Sequence, residues 1–374
     1  MSASEPAGEP STFPPLREEL RGLRPYGAPQ LDVPVQLNVN ENPYGPSAAV
    51  VADVAAAVAG VTGTLHRYPD REFVELRGAL AEYLSHDTPH GVTADQVWAA
   101  NGSNEVMLQL LQAFGGPGRV ALSFAPTYSM YPEYARDTMT EWVQGHRETD
   151  FSLDLDHARQ LIAERRPSVV LLPSPNNPTG TALPLDAVTA LCAAAAGNAQ
   201  PGVVVIDEAY AEFRRAGTPS ALTLLDGTPN LAVSRTMSKA FALAGARVGY
   251  LAASRELCDA LRVVRLPYHL SAVTQAVALA ALRQADELLG QVAVLRVERD
   301  ACVRWLRDQG LAVAETDANF VLFGTFADRH AVWRGLVDRG VLIRETGPEG
   351  WLRVSIGTPD EMTAFRAALL EVLR

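Results

Sequence analysis

The chain has 374 residues, 48% of them hydrophobic and 20% charged, with a formal net charge of −11. That length exceeds the usual single-domain size and predicts two associated domains around a large core. An acidic chain without a basic cluster is a poor match for phosphate backbones, which disfavours nucleic-acid binding and favours small-molecule chemistry.

The first fifteen residues, "MSASEPAGEPSTFPP", are polar, acidic and proline-rich. They read as a disordered tail and have neither the basic start nor the apolar stretch of a signal peptide. No run of about 18 apolar residues occurs, so cytoplasmic residence is expected. Residues 16 to about 45, with Pro25, Pro29, Pro34 and Pro43, read as an irregular arm over something larger. Tail and arm together make a first segment, 1–45.

A rhythm of β-rich and helical stretches follows. "QVWAA" (96–100), "RVALSF" (119–124), "SVVLLP" (168–173), "GVVVID" (202–207), "LAVSRT" (231–236) and "VGYLAA" (248–253) alternate with stretches such as "NEVMLQLLQAF" and "LPLDAVTALCAAAA". "VVVI" is apolar at every position, as in a strand covered on both faces. The expectation is a large α/β domain over 46–255 with a mostly parallel central sheet flanked by helices. From 256 to 374 a long Arg- and Leu-rich helical region gives way to short strands and a final helix, which predicts a smaller α+β domain.

Cys192, Cys258 and Cys302 lie far apart and form no CxxC pair, which indicates a reducing compartment. His86 and His90 are four apart, but "DTP" between them breaks a helix, so no metal site is expected.

Lysine and arginine total 32, and only Lys239 is a lysine. A guanidinium stays protonated, whereas an ε-amine can lose its proton and attack a carbonyl. Lys239 follows an apolar-alternating strand and is expected to open a helix, at the strand-end rim where open α/β sheets bind ligands. Three other segments end on that rim. "VVVID" terminates in Asp207, "VVLLPSPNNPTG" turns at Asn176 and Asn177, and "WAANGSNEV" passes through Gly102, Ser103 and Asn104. Read singly, Asp207 is compatible with a helix cap, "NNPTG" with a plain turn, and "GSNE" with an N-cap that needs no ligand.

Taken together these groups suit pyridoxal 5'-phosphate. A buried carboxylate would hold the proton on the ring nitrogen, and a helix N-terminus near Asn104 would take the phosphate, with Arg247, Thr236 and Ser238 adding charge and hydrogen bonds.

"SPNNPTG", "DEAY", "SRTMSKAFALAGARVGY" and "LRVSIGT", in this order and spacing, resemble the fold-type I aminotransferases and, within them, the histidinol-phosphate aminotransferases of the actinobacterial kind. "LNVNENPYGPS", "HRYPD", "AANGSNE", "APTYSMY" and "RLPYHLS" extend the resemblance over about 30–360. It implies that Lys239 makes the covalent imine to the cofactor and later moves the substrate proton. It further implies that Asp207 pairs with the pyridine nitrogen, that Asn177 and Tyr210 bind the phenolic oxygen, and that Tyr128 stacks on the ring. Ser103, Asn104, Thr236, Ser238 and Arg247 would form the phosphate cup. Tyr68 resembles the tyrosine that reaches the neighbouring subunit's phosphate, which implies a homodimer with shared sites.

For the substrate, Arg353 resembles the family's carboxylate-binding arginine and Arg344 a second anion-binding one, while Asn42 and Tyr44 are expected to line the substrate pocket. A guanidinium fork accepts carboxylate or phosphate, as L-histidinol phosphate and 2-oxoglutarate/L-glutamate require. Because imidazole and phenyl rings are both flat and similar in size, an aromatic amino-acid aminotransferase is the alternative. A pyridoxal phosphate decarboxylase on the same core is a further one.

Overall fold

The computed structural model describes residues 14–374. The tail expected over residues 1 to about 15 lies, apart from its last two residues, outside the described residues. The arm has little regular structure beyond a short 3₁₀ turn at Glu18–Leu20 and a two-residue strand at Val35–Gln36.

The strands are β1 (Val35–Gln36), β2 (Val97–Ala100), β3 (Val120–Ala125), β4 (Glu141–His146), β5 (Val169–Pro173), β6 (Val203–Asp207), β7 (Leu231–Thr236), β8 (Gly249–Ala253), β9 (Ala312–Val313), β10 (Phe320–Gly324), β11 (Val341–Leu342) and β12 (Trp351–Ser355). The helices are α1 (Ala48–Thr62), α2 (Val74–Ser85), α3 (Ser103–Phe114), α4 (Tyr131–Asp137), α5 (Leu155–Arg165), α6 (Leu185–Ala196), α7 (Arg255–Val264), α8 (Ala272–Arg283), α9 (Ala285–Asp308), α10 (Arg329–Val337) and α11 (Pro359–Val372).

A seven-stranded sheet in the order β2-β8-β7-β6-β5-β3-β4 forms the centre. Every residue of β5, β6 and β7 is buried, which is why β5 and β6 read as Val, Ile and Leu runs. β4 through β7 pair in parallel by way of β3. The edge strand β4, "EWVQGH", escaped the sequence reading because its partly exposed pattern lacks the apolar run.

β8 is the exception to the parallel arrangement, running antiparallel to both β2 and β7. A parallel return needs a long crossover, usually a helix. The β7–β8 connection has none: Lys239 does not open a helix but sits in a turn, and only the 3₁₀ segment Ala244–Ala246 interrupts the loop. Leu243 donates its backbone N–H to the Met237 carbonyl and Met237 does so to Val248, pinning the loop base. With Ala240 and Phe241 fully buried beneath it, tertiary pairing overrides the helical propensity of "KAFALAGA".

A second, antiparallel sheet, β12-β10-β9, is braced by α9 and α10. β1 of the arm pairs in parallel with β11, Val35 opposite Val341, so the start of the described chain is stitched to its C-terminal third. Among the described residues no helix is long and apolar enough to cross a membrane.

Candidate active site

The C-terminal ends of β5, β6 and β7 and the first turn of α3 face a cavity of about 260 Å³. Its wall includes Ser103, Asn104, Tyr128, Asn177, Asp207, Tyr210, Thr236, Ser238, Lys239, Arg247, Arg344 and Arg353. Residues spread over 250 positions of sequence thus meet in one place.

Asp207 ends β6 and is buried. Burial pushes its carboxyl up from 3.8 to about 6, against the hydrogen bond donated by Tyr131 to Oδ2 at 3.0 Å and a weaker pull from the Ala209 backbone N–H. The other oxygen, Oδ1, is buried without a partner. An ionised carboxylate in that position requires a cation or a donor from the cavity.

Lys239 Nζ donates to the Val39 carbonyl at 2.9 Å. Burial, with Arg353 and Arg247 adding repulsion, lowers the amine from 10.5 to about 8. An amine with that pKa has an appreciable uncharged, nucleophilic fraction near neutral pH. No histidine lines the cavity among the described residues, so the groups there that titrate nearest neutral pH are Asp207 and Lys239.

At the opposite wall, α3 begins at Ser103 with Gly102 as N-cap at φ 86°. The first-turn N–H groups of such a helix lack intrahelical acceptors and favour an anion. A Cβ on Gly102 would stand 2.5 Å from Arg247 Nη2, and one on Gly249 would stand 2.1 Å from the Ser103 nitrogen, so both glycines permit this close packing. Thr236 Oγ1 lies 3.0 Å from Ser238 Oγ, and the Ser238 N–H donates back to Thr236 at 3.1 Å.

The two asparagines of "SPNNPTG" divide their work. Asn176 is fully buried and donates to the Pro126 carbonyl and to Thr179, bracing the loop. Asn177 faces the cavity and accepts from Arg353 Nη1 at 2.5 Å. Arg353 also donates to the Asn38 carbonyl at 2.9 Å and lies over the Phe320 ring; burial lowers it to about 10. Arg344 is held beside it by a reciprocal backbone pair with Arg353, and both arginines line the cavity. Arg344 Nη1 and Arg353 Nε are buried without partners.

Three expected residues fall elsewhere. Asn42 and Tyr44 do not line the cavity: Asn42 donates to the Ala240 carbonyl at 3.2 Å and accepts the Tyr44 N–H at 3.0 Å, a turn that supports the lysine loop from behind. Tyr68 is 79% exposed and stacks on Tyr268 at 4.4 Å, outside the cavity of its own chain. Conversely, Tyr26, Asn38, Val39 and Asn40 of the arm do line it, and Tyr131 supports it from behind. "LNVNENP" holds three asparagines at alternate positions, and it is the first two that face the cavity.

Residues 33–369 match the family described as aminotransferase class I and II. The chain belongs to that family. It is 64% identical over 356 residues to a histidinol-phosphate aminotransferase of Thermobifida fusca, covering 95% of each chain. A protein of the same description from Bifidobacterium longum is 58% identical, with 96% of this chain and 97% of that one covered. Among solved structures, histidinol-phosphate aminotransferase from Sinorhizobium meliloti in complex with pyridoxal-5'-phosphate superposes with a TM-score of 0.84 at 25% identity, covering 97% and 99% of the two chains. As in the sequence reading, the fold is that of a fold-type I aminotransferase.

Proposed function

We propose that the protein binds pyridoxal 5'-phosphate and transfers an amino group between L-histidinol phosphate and 2-oxoglutarate, giving imidazole acetol phosphate and L-glutamate in histidine biosynthesis. The observation that carries this reading is the placement of the sole lysine and the unpartnered Oδ1 of Asp207 in one cavity that two arginines also line.

The residues suit this cofactor on chemical grounds. Oδ1 of Asp207 lacks the cation that a protonated ring nitrogen would provide, and the first turn of α3 with Arg247, Thr236 and Ser238 makes a cationic, donor-rich cradle for a phosphate. When bound, pyridoxal phosphate supplies an electron-accepting ring. Asp207 would hold the proton on that ring's nitrogen, Tyr128 would pack against the ring, and Asn177 and Tyr210 would bind the phenolic oxygen. Lys239 is the amine that would hold the cofactor's aldehyde carbon and would move a proton at the substrate Cα.

Arg353 and Arg344 orient the substrate through its anionic group, carboxylate in one half-reaction and phosphate in the other. The enzyme works as a homodimer in the cytoplasm, with Tyr68 completing the partner's phosphate cup. This is supported by the exposure of Tyr68 together with Leu65, Val263 and Leu266, apolar groups that a monomer would leave in water.

A side-by-side assay with 2-oxoglutarate tests the substrate assignment. kcat/KM for L-histidinol phosphate is expected to exceed that for phenylalanine, tyrosine and leucine; equal values for histidinol phosphate and phenylalanine would favour an aromatic aminotransferase instead. Release of carbon dioxide without glutamate formation would mark a decarboxylase.

A further inference from the structure

Asn40 is buried at 2% exposure and takes a left-handed backbone conformation, φ 56°. All four of its polar groups are engaged. Its backbone N–H donates to Ser355 Oγ at 2.9 Å, and the Ser355 hydroxyl donates to Asn40 Oδ1 at 3.0 Å. Its carbonyl accepts from Asn319 Nδ2 at 3.1 Å, and its own Nδ2 donates to the Tyr210 hydroxyl oxygen at 2.9 Å. The reciprocal bonds with Ser355 fix the amide so that the NH₂ group, not the oxygen, faces Tyr210.

A phenol oxygen that accepts a hydrogen bond still has one proton to give. With the Asn40 amide on its acceptor side, Tyr210 has to aim that proton elsewhere, and the open direction is the cavity that both residues line. Accepting a bond also polarises the O–H, which strengthens it as a donor.

We propose that Asn40 is a positioning residue that makes Tyr210 an obligate hydrogen-bond donor to an anionic ring oxygen in the cavity; this rests on the cofactor reading above. Asparagine meets both demands of the site. It is among the few residues other than glycine that tolerate positive φ, and its amide offers a donor on one side and an acceptor on the other. Asn319 and Ser355 come from β10 and β12 and their flanks, so the donor direction of Tyr210 is set by the C-terminal sheet.

The test uses holoenzyme reconstituted with pyridoxal phosphate and follows visible absorbance against pH without substrate, alongside the cofactor dissociation constant. A donor to the ring oxygen stabilises its negative charge and weakens its hold on the proton shared with the linking nitrogen, so losing the donor raises the midpoint. Asn40→Gly keeps the backbone conformation and removes the amide. It should raise the midpoint by about 0.5–1 pH unit, in the direction of Tyr210→Phe but less far. Asn40→Asp turns the donor into an acceptor that draws the Tyr210 proton out of the cavity, and should raise the midpoint more than Asn40→Gly. In a Tyr210→Phe background Asn40→Gly should not move it further.

An unchanged midpoint in Asn40→Gly while Tyr210→Phe shifts it, or shifts that simply add in the double variant, would overturn the proposal. If Asn40→Gly fails to fold, Ser355→Ala, which frees the amide to rotate, is read against the same criteria. A wild-type protein without any visible chromophore would instead refute the cofactor reading itself.

Discussion

Tyr131 donates its hydroxyl proton to Oδ2 of Asp207 at 3.0 Å, with the tyrosine fully buried and the carboxylate nearly so. A neutral donor in a dry site stabilises the ionised carboxylate without supplying a competing charge, so Oδ1 is left to answer to whatever enters the cavity. Hydrogen bonds to charged groups contribute about 1.5–3 kcal/mol. Tyr131→Phe should therefore destabilise the cofactor-free protein by about that much at pH 8, and by about 1 kcal/mol less at pH 5, where Asp207 is protonated. Urea unfolding at the two pH values measures this, and equal losses at both would count against the carboxylate as the partner that matters.

The same carboxylate predicts how cofactor binding depends on pH. Its folded-state value of about 6 lies above the ordinary 3.8. A group raised in this way contributes stability that is complete below the unfolded value and lost as pH rises through the folded one, so ionising Asp207 costs the cofactor-free fold about 3 kcal/mol by neutral pH. A cationic ring nitrogen against Oδ1 offsets that cost. The gain in unfolding temperature on adding pyridoxal phosphate should hence grow between pH 5 and pH 7.5, and Asp207→Asn should abolish the growth. A wild-type gain that stays flat with pH would mean the ring does not meet Asp207.

Much of this site was legible because its chemistry sits next to strand ends. Asp207 ends a buried apolar run, Ser103 follows another and Lys239 follows the buried strand β7, and the rim is where such sheets bind ligands. The arm was misread for a physical reason. In "NVNENPYG" the asparagines alternate without an apolar frame, so nothing local tells that Asn38 and Asn40 face inward while Asn42 caps a turn. Their orientation is imposed by Leu37 and Asn40, which bond to Ser355, a residue more than 300 positions away. Tyr131 was hidden for a similar reason: a buried aromatic at the start of a helix reads as packing until its partner carboxylate is placed.

Lys239 predicts a labelling profile. Its amine is lowered to about 8, chiefly by burial, so the reactive unprotonated fraction rises through that pH rather than near 10.5. In the cofactor-free protein, reductive trapping by a simple aldehyde, read by peptide mapping to separate Lys239 from the chain terminus, should be half-maximal near pH 8. Because lysine occurs once, no other side chain competes. Lys239→Arg keeps the charge and should lose turnover by at least about 10³-fold, since a guanidinium does not form a reversible imine. Persistent turnover in that variant would remove the lysine from the mechanism.

The phosphate cradle depends on an absent side chain. Gly249 opens β8 directly against the start of α3, and a Cβ there would lie 2.1 Å from the Ser103 nitrogen and 2.2 Å from the Gly102 carbonyl carbon. Both are backbone atoms, so no rotamer change relieves the contact, and α3 has to move away from the sheet. Gly249→Ala should weaken pyridoxal phosphate binding by at least about tenfold, because the donors of the first turn no longer converge, and should lower stability by about 1–3 kcal/mol through overpacking. Gly245 lies in the loop just before β8, with nothing within 4 Å of an added Cβ. Gly245→Ala should change neither property by more than about 0.5 kcal/mol. Fluorescence titration with the cofactor and thermal unfolding of the two variants separate the outcomes: equal effects would point to general disturbance of the β7–β8 loop, whereas loss confined to Gly249→Ala ties cofactor affinity to the packing of one glycine on one helix terminus.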